Sequence, residues 1–111
     1  MQAAVFGALG EPSRLQIVEL LRRGPHGVGE IAEALGLRQP QVSKHLKVLD
    51  RLGIVDVEAR ARRRIYHLRA EPFDEIAHWV DSFEHLWEVR LDALGEHLRT
   101  HATDTTREDD Q

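Results

Sequence analysis

Between Arg38 and Leu49 the chain runs Arg-Gln-Pro-Gln-Val-Ser-Lys-His-Leu-Lys-Val-Leu, and a second cationic stretch, Arg60-Ala61-Arg62-Arg63-Arg64, follows shortly downstream. Wound as a helix at about 100° per residue, the first stretch gathers Pro40, Ser43, Lys44, Lys47 and Arg51 on one face and Val42, Leu46 and Leu49 on the opposite one. The polar face carries the groups that nucleic-acid recognition needs. Gln39 and Ser43 offer short donors and acceptors suited to base edges, and Lys44 can donate to a guanine or a phosphate. Lys47 and Arg51, further along, suit phosphates, which fix register without reading sequence. Gln41 lies at the rim, and His45 falls at the apolar edge, where packing is its expected role. Arg60, Arg62, Arg63 and Arg64 would set cations at a hairpin tip, along a DNA backbone or minor groove, with strand alternation placing Arg62 and Arg64 on one side.

These residues need a scaffold, and the flanking sequence supplies one. Residues 3–9 predict a short helix broken by Gly10. Pro12 opens a second helix, with Glu11 at its positive end and Leu15, Val18 and Leu21 as its inward stripe, Ile17 and Leu20 alongside. A third helix spans Glu30 to Leu35 and stops at Gly36, and the cationic helix follows with Pro40 in its first turn and Gly53 at its end. Residues 54–58 and 64–68 read as two strands around a basic connection with no Gly or Asn, which predicts a loop of several residues. From Pro72, apolar residues at Phe73, Ile76, Val80, Phe83, Trp87, Leu91, Leu94 and Leu98 predict one last helix of about seven turns, roughly 40 Å long. That exceeds what so small a domain can cover, so part of its apolar face calls for a second chain. The expected architecture is mainly α with a small β-hairpin, about five helices in all, in one domain over residues 1–99, followed by a disordered polar tail at 100–111.

Composition narrows the functional classes. With 111 residues and 41% hydrophobic content the chain can fill one small core. No cysteine is present, which removes disulfides, thiolate metal sites and thiol redox sensing. The net charge of −4 hides a split: residues 1–69 carry +5, and residues 70–111 carry −9. A basic reader joined to an acidic assembly segment fits that division. No apolar run suggests a membrane span or a leader, so a cytoplasmic protein is expected. An enzyme is not expected, because no nucleophile–base pattern or glycine-rich phosphate loop occurs.

Four segments in order, ALGEPSRLQIVELL, VGEIAEALG, QPQVSKHLKVLDRLGIV and RRRIYHL, resemble the ArsR/SmtB-type winged helix-turn-helix transcriptional repressors over roughly residues 4–98. The resemblance implies a homodimer paired through its first and last helices, with Val5, Phe6, Leu9, Ile76, Val80, Phe83, Trp87, Leu91 and Leu94 at the interface. It also implies two recognition helices in successive major grooves of an imperfect palindrome in double-stranded DNA. One departure concerns Arg38, which stands where the family often caps the recognition helix with Ser; the chain loses that cap and gains a phosphate contact.

Many members of the family release DNA on binding a metal, through cysteines on the third helix or an Asp-x-His and His-x-x-His/Glu set on the last. Here Asp81 is followed by Phe83 where that motif has His, and His97 by Thr100. The expectation is therefore no cofactor and no metal, with His85, His97 and His101 as the residual candidates for a Zn- or Ni-type site. Trp79, Phe83, Leu86 and Trp87 form an aromatic-rich patch that suits an interface first and an unknown apolar small-molecule effector second. The competing class is a winged-helix protein-interaction module that no longer reads DNA; Lys44, Lys47 and the arginine-rich wing count against it.

Overall fold

The computed structural model describes residues 3–100, with side chains as far as Glu96. Along them run α1 (Ala3–Leu9), α2 (Pro12–Leu21), β1 (His26–Gly27), α3 (Val28–Leu35), α4 (Gln39–Arg51), β2 (Val55–Arg60), β3 (Arg63–Leu68), α5 (Ala70–Asp81) and α6 (Glu84–Thr100). The chain folds as two units that divide between Ile76 and Ala77.

In the first unit, helix starts are set by local chemistry. Glu11 takes extended backbone and its Oε1 accepts from the Arg14 N–H at 2.9 Å, with Pro12 opening α2. Glu30 Oε1 reaches back to accept from the Gly27 N–H at 2.7 Å at the start of α3. Arg38 has no side-chain acceptor to cap α4; instead Gln41 Oε1 accepts from the Arg38 N–H at 3.2 Å. Gly36, at φ 67°, ends α3 in the left-handed region and frees the chain to enter α4 three residues later, at Gln39.

The core of this unit joins Ile17, Ile31, Val42, Leu46, Leu49 and Ile54, all fully buried. Val42, Leu46 and Leu49 are the expected apolar back of α4. On α2 the buried face is Ile17, Val18 and Leu21, whereas Leu15 stays 43% exposed. The i, i+1, i+4 set turns the inward direction away from Leu15, which corrects its expected place in the stripe. Val5 is buried in this same core, and Leu9, Phe73 and Ile76 pack against it half-buried.

The three-stranded antiparallel sheet has the order β1-β3-β2. β1 went unread in the sequence because two residues show no alternation; it pairs His26 with Tyr66 and Gly27 with Ile65. The register of β2 on β3 runs from Val55–Leu68 to Arg60–Arg63. The connection is therefore only Ala61-Arg62, tighter than the loop of several residues expected from its lack of Gly or Asn. Ala61 accepts the cost by taking φ 55° itself.

Among the described residues six helices replace the expected five, because the last one is two. α5 ends at Asp81, and the helix resumes at Glu84. In the second unit, Ser82 Oγ donates to the Trp79 carbonyl at 2.6 Å, a back-bond of the kind that competes with helical propagation. Helices of 12 and 17 residues, about 18 and 25 Å long, stand in place of a single 40 Å rod. The expected tail lies, apart from Thr100 at the end of α6, outside the described residues.

Candidate nucleic-acid interface

Burial of Val42, Leu46 and Leu49 turns the other side of α4 outward. Arg38, Gln39, Pro40, Gln41, Lys44, Lys47 and Arg51 are exposed, and Ser43 and His45 are half-buried at the edges of that face. The helix thus brings together every residue the sequence assigned to it. Gln41 differs in detail, since its side-chain oxygen is taken up at the Arg38 amide.

The hairpin divides its four arginines. Residues directly opposite in an antiparallel pair share a face, so Arg60 and Arg63 lie on one side, with Arg64 and Ala59 on the other. Arg62 sits in the turn. Two like charges facing each other repel, and here each has a separate carboxylate: Arg60 Nε lies 3.4 Å from Glu58 Oε2, and Arg63 Nη2 lies 3.0 Å from Glu30 Oε1. Strand alternation therefore separates Arg63 from Arg64, while Arg62 belongs to the turn and not, as expected, to the Arg64 face.

Among the described residues, Arg38, Lys44, Lys47, Arg51, Arg62 and Arg64 have no ion-pair partner, whereas Arg60 and Arg63 do. An unpaired cation on the surface keeps its full charge for an external anion. Six such cations on α4 and the hairpin tip form a surface suited to phosphates.

Glu30 and Gly27 are the residues that sequence reasoning missed. The Glu30 carboxylate accepts from the Gly27 amide and meets the Arg63 guanidinium, and these two contacts, the amide first, hold it below the usual carboxylate range. A Cβ on Gly27 would lie 3.0 Å from Arg63 Nη2, so a larger residue there would push the guanidinium aside by a few tenths of an ångström. The Gly-x-x-Glu spacing before an apolar run was a readable helix-start signal; the arginine it would meet was not.

In the second unit the apolar stripe lies open: Val80, Phe83, Trp87, Leu91 and Leu94 are 37–65% exposed. Trp79 and Phe83 meet edge to face at 5.0 Å. Among the described residues no group of three or more His, Cys, Asp or Glu side chains is placed to hold a metal ion. His85 is exposed; the His97 side chain and His101 lie outside the described residues.

A helix, a tight turn, a second helix with a polar outer face, and an antiparallel hairpin after it define a winged helix-turn-helix protein. Comparison with known proteins agrees. Residues 11–57 match the model of the arsR family of bacterial regulatory proteins. The HTH-type transcriptional regulator NmtR of Mycobacterium tuberculosis is 44% identical over 66 residues, a stretch covering 60% of this chain and 55% of NmtR. The crystal structure of an ArsR family transcriptional regulator superposes with a TM-score of 0.67 at 30% identity, covering 78% of this chain and 89% of that one. A homodimeric winged helix-turn-helix DNA-binding domain from Mycobacterium bovis, described as a possible ArsR-family regulator, superposes with a TM-score of 0.62 at 30% identity, over 75% of this chain and 77% of that one. The chain belongs to the ArsR family of transcriptional regulators, a class without enzymatic activity. Among the described residues no helix is long and apolar enough to cross a membrane.

Proposed function

We propose that this chain is a cytoplasmic, homodimeric, sequence-specific DNA-binding repressor that occludes a promoter at an imperfect palindrome. The observation that carries the proposal is the row of unpaired exposed cations on α4 and the hairpin tip, above a fully buried apolar back. Gln39, Ser43 and Lys44 read base edges in the major groove; Arg38, Lys47 and Arg51 hold phosphates; Arg62 and Arg64 meet the backbone or minor groove. A two-fold dimer sets its half-sites about one helical turn, roughly 34 Å, or a multiple of that apart.

A second copy covers the exposed stripe of Val80, Phe83, Trp87, Leu91 and Leu94, and Phe6, 39% exposed on α1, adds apolar surface from the first helix. The homodimer named for the Mycobacterium bovis domain supports this. Residues 1–99 act as the reading and pairing part, with 100–111 as a polar tail. An effector that releases DNA meets no thiol on this chain. The rings of Trp79, Phe83 and Trp87 suit an apolar molecule at the pairing surface.

The test is a gel shift of the DNA upstream of the chain's own gene against random DNA at moderate salt, with sedimentation of the complex. A specific shift carrying two copies is expected. Equal affinity for both DNAs would assign the chain to the interaction-module class instead.

A further inference from the structure

Resting on the DNA-binding reading above, we propose that Glu30 and Arg63 form a strut that fixes the wing to the start of α3, so that Arg63 positions the wing and contacts no phosphate. The sequence offers Arg60, Arg62, Arg63 and Arg64 as wing cations with Arg62 and Arg64 on one side; the structure shows which of them already meet a carboxylate. Arg63 stands at the last pair of the hairpin, opposite Arg60. Its guanidinium crosses to Glu30 Oε1 at 3.0 Å, and the same oxygen accepts from the Gly27 amide at 2.7 Å. One carboxylate oxygen thus ties three places: the wing tip through Arg63, the strand β1 through Gly27, and the first turn of α3.

The surroundings favour that arrangement over a phosphate contact. Gly27 presents no side chain, and a Cβ there would stand 3.0 Å from Arg63 Nη2 and 3.5 Å from Glu30 Oε1. Glu33, one turn on from Glu30 along α3, lines the same hollow, which Arg64 borders with its backbone carbonyl, 3.5 Å from a Cβ built on Gly27, so a phosphate approaching Arg63 would meet two carboxylates. Arg64 points to the opposite face of β3 and Arg62 occupies the turn, both without an ion-pair partner among the described residues. The strut thus sets the wing at a fixed angle and leaves those two arginines to meet DNA. Glu30 is a positioning residue.

The experiment compares Arg63→Gln, Arg64→Gln, Glu30→Gln and the Glu30→Gln/Arg63→Gln double variant of the full chain. Gln at position 30 keeps an acceptor for the Gly27 amide and removes only the charge. In the free protein, the Glu58 and Arg60 amides, in the ladder that β2 makes with β3 at the wing tip, should exchange faster in Glu30→Gln and Arg63→Gln and at the wild-type rate in Arg64→Gln. On operator DNA, Arg64→Gln should lower the slope of log K against log salt by about 0.9, while Arg63→Gln leaves the slope unchanged. Affinity should fall up to about fivefold in either strut variant, with the double variant no worse than the singles. A slope change in Arg63→Gln equal to that in Arg64→Gln would overturn the assignment, as would unchanged wing exchange in both strut variants. Failure of the wild type to prefer operator DNA overturns the DNA-binding reading instead, and the exchange measurement still decides the strut.

Discussion

The indole Nε1 of Trp87 donates to the Val80 carbonyl at 3.1 Å, across the two-residue turn between α5 and α6. Val80 lies within the last turn of α5, and its carbonyl also accepts from the Phe83 amide at 3.1 Å, so the indole is the second donor to one oxygen with two lone pairs. The bond, with the Phe83 carbonyl accepting from the Trp87 amide at 3.0 Å, sets the direction in which α6 leaves the turn. Trp87→Phe keeps an apolar ring and deletes the donor. It should cost about 1 kcal/mol and speed amide exchange over the first turn of α6, with α2 to α4 unaffected. Exchange at Glu84–Trp87 equal to wild type would show that the bond holds nothing.

The division of labour on α4 predicts different effects for different residues. Ser43→Ala and Lys44→Ala each remove a group that reads a base edge, and each should narrow the preference for operator over random DNA by about 1–3 kcal/mol. Lys47→Ala should weaken binding to both DNAs alike and lower the salt slope by about 0.9. Titrations on both DNAs at several salt concentrations separate the two classes; an equal drop in affinity on both for all three variants would sink the assignment.

Much of this fold could be read directly from the chain, and the misses share a cause. Val42, Leu46 and Leu49 were legible because helical periodicity within one element determines which side is buried. Leu15 was misread because its burial depends on which neighbours α2 meets, and periodicity alone leaves two adjacent choices. The break at Ser82 was missed because Ser is tolerated in helices; the rotamer that sends its Oγ to the Trp79 carbonyl is a three-dimensional fact. The outward cations were legible one at a time. Which of them already has a carboxylate was not, since Glu30 and Arg63 meet only once the hairpin has folded against α3.

The wing turn carries a removable strain. Ala61 is the described non-glycine residue with positive φ, at 55°, in a two-residue connection where Gly or Asn is the usual occupant. A left-handed Ala costs roughly 1–2 kcal/mol, while Gly gives back about 0.5–1 kcal/mol through its freer unfolded chain. Ala61→Gly should therefore stabilise the protein by about 0.5–1 kcal/mol in denaturant melts. DNA affinity should stay within twofold or so, because no charge is moved. A destabilised Ala61→Gly variant would mean that the turn is not held in the left-handed region in solution.

Acid should weaken α2 through its cap. The Glu11 carboxylate is held below the usual carboxylate range, first by the bond it accepts from the Arg14 amide, with His45 adding a smaller favourable charge. A carboxyl whose folded value is depressed contributes its stability above its unfolded value and loses it as pH falls through the folded value. Glu11→Ala, which deletes the acceptor, should therefore melt below wild type at pH 7. The gap should shrink as the pH drops through the acidic range, since wild type protonates its own cap there. Melts from pH 7 down to the acid limit of folding test this, and a gap independent of pH would mean that the carboxylate's charge contributes nothing to the start of α2. Arg14 also donates through Nε to the Ala8 carbonyl at 2.9 Å, a bond that joins α1 to α2 and survives the substitution. The effect should accordingly appear in the exchange of the α2 first turn and leave α1 as it was.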